Sequence, residues 1–77
     1  MNASRGVVVR IPTDPDTGNR KGFLFIKPED GGDDVFAHKS GLQQTTKSFH
    51  DIVIGDKVEF TEIAGEKGPR AIEVRVL

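Results

Sequence analysis

The chain has 77 residues, including nine Gly, four Pro and no Cys. That length allows one small domain with a thin core, and the lack of Cys excludes a disulfide framework or thiolate metal site. Eleven basic residues against twelve acidic ones leave a net charge of −1, which excludes a uniformly basic nucleic-acid binder but not one whose cations are locally placed.

The first residues, MNASRGVVVRIP, contain no apolar run long enough for a signal peptide or a membrane span. The expected location is the cytoplasm, with no membrane partner. Within this stretch Gly6–Ile11 is β-branched and reads as a first strand. Pro12 ends it, because proline cannot donate to a ladder. Thr13–Asn19, TDPDTGN, is turn chemistry throughout. Lys21–Lys27, KGFLFIK, reads as a second strand, and PEDGGDD at 28–34 as the next turn. That turn gathers four acids, Glu29, Asp30, Asp33 and Asp34, away from the cations Arg20, Lys21, Lys39 and Lys47. Val35–His38 is a third strand, and Ser40–Gln43 has room for one helical turn. Gln44–Ile54 reads as a polar loop holding one aromatic, Phe49, and an apolar end. Lys57–Ile63 alternates as a fourth strand, Ala64–Pro69 is a turn, and Ala71–Val76 alternates with Ile72, Val74 and Val76 on one face. Five short strands at this spacing suit an all-β closed barrel, which leaves no exposed sheet edge. The whole chain, 1–77, reads as one domain.

Phe23, Leu24, Phe25 and Ile26 form an unbroken apolar run, yet successive side chains point to opposite faces of a strand. A barrel this small has one interior. The economical arrangement buries Leu24, Ile26, Val35 and Ala37. It leaves Phe23, Phe25, Phe36 and His38 together on the outer surface, flanked by Arg20, Lys21 and Lys39. Adjacent outward rings mark a binding surface. Rings rimmed by cations suit unpaired nucleic acid, because bases stack on rings and phosphates meet Lys or Arg. Duplexes hide their base faces, so the partner should be single-stranded. The competing reading makes every phenylalanine core, which is the ordinary fate of Phe.

KGFLFI at 21–26 resembles the first nucleic-acid-binding motif of cold-shock domains, usually written KGFGFI, and DVFAHKS at 34–40 resembles the second, DVFVHFS. SGLQ, GDKVEF and EKGP also match, so the resemblance runs from Gly6 to Val74. It implies a five-stranded antiparallel barrel of the oligonucleotide-binding (OB) type that binds single-stranded RNA or DNA, as an RNA chaperone or a regulator of transcription or translation. Carried across by position, Phe23, Phe25, Phe36 and His38 match binding residues of the family, and Lys21 opens the first motif. Phe49 stands where many members place a loop aromatic that stacks a further base. The chain departs from the family in strand one, where Val9, Arg10 and Ile11 replace lysine, tryptophan and phenylalanine. Lys39 replaces the aromatic after the motif histidine, and Leu24 replaces the motif glycine. The loops from Pro12 to Arg20 and before Phe49 are longer than usual. Two stacking platforms have thus become cations, so binding should be weaker and more salt-dependent than in a typical member. Arg10 keeps a planar guanidinium that can stack. By strict alternation it would share a side with Val8, so only a bulge can bring it to the binding face.

Catalysis fits poorly: His38 and His50 are the only histidines and no Cys is present. No metal geometry follows from two histidines. Asp14-Pro-Asp16-Thr-Gly18 faintly suggests a calcium loop, but a twelve-residue loop would end on Phe25 in place of Glu, without helical flanks. No cofactor and no small-molecule substrate are expected, and the small size favours a monomer. The rival function is a protein-interaction module on the same scaffold, since small barrels serve many roles and exposed Phe also binds protein.

Overall fold

A computed structural model describes residues 3–43, 47–66 and 68–77. Five strands, β1 (Ser4–Arg10), β2 (Phe23–Pro28), β3 (Val35–His38), β4 (Lys57–Gly65) and β5 (Gly68–Val76), close into a barrel in the order β1-β2-β3-β5-β4. A single 3₁₀ turn at Lys39–Gly41 overlaps the helical turn expected at Ser40–Gln43, shifted back by one residue and ended by extended Leu42, and a second occupies Phe49–Asp51. Gln44–Thr46, the start of the predicted polar loop, lie outside the described residues.

The strands bury one face each, as alternation requires. Val8, Leu24, Ile26, Val35, Ala37, Val58 and Phe60 are all within 3% of complete burial. Each side chain of Val, Leu, Ile or Phe size contributes about 1.5–3 kcal/mol when fully buried. Gly6 lets β1 pass close to β2, because a Cβ there would lie 2.5 Å from the Lys27 carbonyl oxygen and 2.7 Å from Ile26 Cγ2.

Three expectations need correction. The barrel is not wholly antiparallel: β3 and β5 run parallel, paired through Phe36↔Arg70 and Ala37↔Ala71. This follows from the chain path, since β5 returns to β3 from its hairpin with β4. The alternation read for β5 also fails at its centre. Glu59 pairs with Arg75 and Thr61 with Ile72, so Glu73 and Val74 both stand opposite Phe60. Glu73 takes a left-handed backbone (φ 53°) at this bulge. Ala71, Val74 and Val76 consequently face the core, and Ile72 does not. Third, the Ala64–Pro69 turn is tighter than expected, because β4 and β5 pair as far as Gly65↔Gly68.

The long arm between β1 and β2 is a polar hairpin. Thr13 bridges Arg20, the Gly18 N–H donates to the Asp14 carbonyl, and the Asp16 N–H donates to Asp14 Oδ1 at 2.8 Å. Asp14 therefore works as a turn former. Among the described residues no three His, Cys, Asp or Glu side chains converge as metal ligands.

Asp56 ties the segment before β4. Its carboxylate accepts the Val53 N–H at 3.0 Å and the Lys47 ammonium at 2.9 Å. The Val53 N–H first, then Lys47, hold its pKa below the ordinary carboxylate value. A depressed folded-state pKa stabilises the fold above the unfolded carboxylate range, and that stabilisation fades as pH falls through the folded value. Asp56→Asn should therefore lower Tm near neutrality and flatten the acid limb of a Tm-against-pH curve followed by circular dichroism. An unaltered acid limb would remove Asp56 from the acid response.

Candidate nucleic-acid interface

Strands β2 and β3 pair through Phe23↔His38, Leu24↔Ala37, Phe25↔Phe36 and Ile26↔Val35. The inward members are buried, while Phe23, Phe25, Phe36 and His38 are half-buried on the outer face. The rings form one cluster. Phe23 and Phe36 lie 5.2 Å apart at 30°, and Phe25 meets Phe23 and Phe36 edge-on at 5.9 and 6.0 Å. Such offset and edge-to-face contacts are favourable, and they leave ring surface open to a further flat group.

A bulge in β1 decides where Arg10 points. Val8 pairs with Ile26 and Arg10 with Phe25, so Val9 is the extra residue. Arg10 is thereby turned outward, its guanidinium carbon 5.1 Å from the Phe25 ring centroid. The same cross-strand line continues through Phe36 to Arg70 on β5, whose guanidinium carbon lies 6.0 Å from the Phe36 centroid. Arg10, Phe25, Phe36 and Arg70 thus form one row across four neighbouring strands, a cation at each end and two rings between. Among the described residues neither arginine is held by an ion pair.

At the other edge, Lys39 donates its backbone N–H to the Gly22 carbonyl. Its side-chain stem passes about 3.5 Å from where a Gly22 Cβ would stand. Gly22 has φ +97°, a conformation that disfavours other residues. Lys39 and Lys21 are both exposed beside Phe23. His38 Nδ1 accepts the Ser40 N–H at 3.1 Å and lies 2.8 Å from Ser40 Oγ. The ring proton therefore belongs on Nε2, free to donate.

Phe49 is not a surface aromatic. It is 5% exposed and shares a small gap at the barrel end with Leu24, Ala37, His38, Leu42 and Val74. Arg20 donates to the Phe49 carbonyl, with its guanidinium carbon 5.8 Å from the Phe49 ring. Arg20 therefore anchors this segment and does not flank the rings. Lys47 is likewise engaged, by Asp56. The physical reason is shared: both side chains are consumed in holding the segment before β4, Arg20 by the Phe49 carbonyl and Lys47 by the Asp56 carboxylate.

Sequence reasoning missed Arg70. Beyond Phe25 and Phe36 the row opens into a groove of about 660 Å³ against the β4–β5 hairpin, lined also by Ile63, Pro69, Arg70 and Glu66. The available signal was an arginine directly after GP, at the start of β5. Its relevance depends on the parallel pairing with β3.

Comparison with known proteins agrees with this arrangement. The profile described as "'Cold-shock' DNA-binding domain" matches residues 17–77. The chain belongs to the cold-shock domain family. It is 49% identical over 57 residues to cold shock-like protein CspE of Escherichia coli K12, covering 74% of this chain and 80% of that one. It is 40% identical over 57 residues to cold shock-like protein CspA of Bordetella pertussis, covering 74% and 82%. The Drosophila Unr CSD456 structure superposes with a TM-score of 0.74 at 25% identity, over 99% of this chain and 27% of that longer one. The family is a nucleic-acid-binding one, as the description of the matched profile says. The family match begins at Thr17, after β1, yet β1 pairs with both β2 and β4 and completes the barrel here. Among the described residues no helix is long and apolar enough to cross a membrane.

Proposed function

We propose that this cold-shock domain binds single-stranded RNA or DNA by stacking bases on Phe23, Phe25 and Phe36. His38 offers an Nε2–H at the edge, and Arg10, Lys21 and Lys39 meet phosphates. The observation that carries the reading is the outward ring cluster with a guanidinium beside Phe25, a platform with no role in closing the core. Exposed rings cost stability in water and are retained where a ligand covers them. The chain acts as one unit across 1–77, as a cytoplasmic monomer without cofactor or turnover, melting weak RNA structure or regulating transcription or translation.

The test is fluorescence anisotropy of a labelled oligothymidine titrated with protein at several salt concentrations. Micromolar or tighter binding is expected, about −8 kcal/mol or better, with little affinity for duplex. The log–log salt slope should be about 0.7 per phosphate contacted, and Lys39→Ala should flatten it. Binding absent even at low salt would overturn the reading and favour a protein partner for the Phe surface.

A further inference from the structure

The hairpin groove is chemically unlike the rest of the platform. Phe25 and Phe36 supply one apolar wall, and Ile63 and Pro69 supply another. Two charged residues line the same space, Arg70 and Glu66. Among the described residues neither is held by an ion pair. A carboxylate is out of place where only phosphate is to be met, since it repels the backbone and offers nothing but acceptors. An acidic and a basic residue along one groove with two rings suit a ligand that is flat, apolar on its faces and edged by both donors and acceptors.

We propose that this groove is a guanine subsite, a reading that rests on the single-strand binding proposed above. Guanine alone among the bases carries two adjacent N–H donors, N1–H and the N2 amino group, which match the two oxygens of a carboxylate. It also presents O6 and N7 as an acceptor pair, the edge that arginine reads bidentately. In an unpaired strand both edges are open to protein. Glu66 takes the donor edge, Arg70 takes the acceptor edge, and the Phe36 face carries the ring. Thymine, with one ring N–H between two carbonyls, would bring a carbonyl against the Glu66 carboxylate. Cytosine and adenine lack the paired donors. The groove volume of about 660 Å³ leaves ample room for a purine. Glu66 and Arg70 are thus specificity-determining residues on a surface whose remaining contacts tolerate any base.

The test uses the full chain and labelled heptamers that are all thymidine except for a central G, A, C or T. The central-G strand is expected to bind about tenfold tighter than the all-T strand, in line with one good bidentate contact. Glu66→Gln removes a charge from an exposed hairpin (residue 66 is exposed), so it should leave the melting temperature unchanged. It should strengthen all-T binding slightly, by removing repulsion of phosphate, and reduce the G preference to about twofold. Arg70→Lys should also lower the G preference while keeping the salt slope. Equal binding of the four strands, or a G preference that survives Glu66→Gln intact, overturns the guanine subsite and leaves the stacking platform standing. Binding of none of them at low salt overturns the platform and the subsite together.

Discussion

Replacing Phe25 with Ala should cost roughly 1–3 kcal/mol of oligonucleotide binding, about fivefold to 150-fold in Kd, and leave the barrel folded. The ring stands outside the core, half-buried by its neighbours Phe23 and Phe36, while the inward residues of β2, Leu24 and Ile26, are 2% and 0% exposed. The variant removes a stacking face, and with it the ring beneath Arg10. Arg10 then becomes an untethered cation that still attracts phosphate but no longer has a ring beneath it. The salt slope should therefore persist while affinity falls. Anisotropy and a thermal melt on the same sample check both halves. Loss of the folded state would show that Phe25 is core and that the two faces of β2 have been exchanged.

Phe49→Ala gives the opposite pattern. Phe49 is almost fully buried and packs in the cluster that holds Leu24, Ile52 and Val74. Truncating a buried Phe typically costs 3–5 kcal/mol. A domain of this length is marginal to begin with, so a large unfolded fraction is expected at ordinary temperature. Denaturant titration reads this directly as a drop in the midpoint, and stabilising osmolytes should restore both fold and binding. A variant that kept its midpoint and lost affinity would return Phe49 to the binding surface. The paired result separates the two roles that phenylalanine plays in this chain, which composition alone cannot do.

The division between rings that face outward and residues that fill the core was legible in β2 and β3, because the backbone fixes a period of two and only one face can enter a small barrel. Leu24 in place of the family's glycine was legible for the same reason, and it is buried. The need for a bulge at Arg10 could be stated from alternation, whereas its occurrence at Val9 is set by the register between β1 and β2. Phe49 was misread because a loop has no period, and nothing local distinguishes a ring that stacks outward from one that closes the barrel end. Arg70 was invisible for a topological reason. Its neighbour Phe36 is distant in sequence, and a parallel pairing leaves no hairpin signal between the partners. In β5 the left-handed residue at Glu73 shifts the pattern by one, which no propensity scale announces.

The seam that closes the barrel joins β3 to β5 through only two residue pairs, and one of them, Phe36↔Arg70, belongs to the proposed binding row. A nucleotide seated on both residues lies across the join like a clasp on a bracelet. Folding and ligand occupancy then share one equilibrium: at a hundredfold excess over Kd, the native state gains about 2.7 kcal/mol by mass action. That is a large share of what so short a chain can hold in reserve. On the proposed binding, nucleic acid would act as a structural component of the barrel, and its concentration relative to Kd would set the folded fraction.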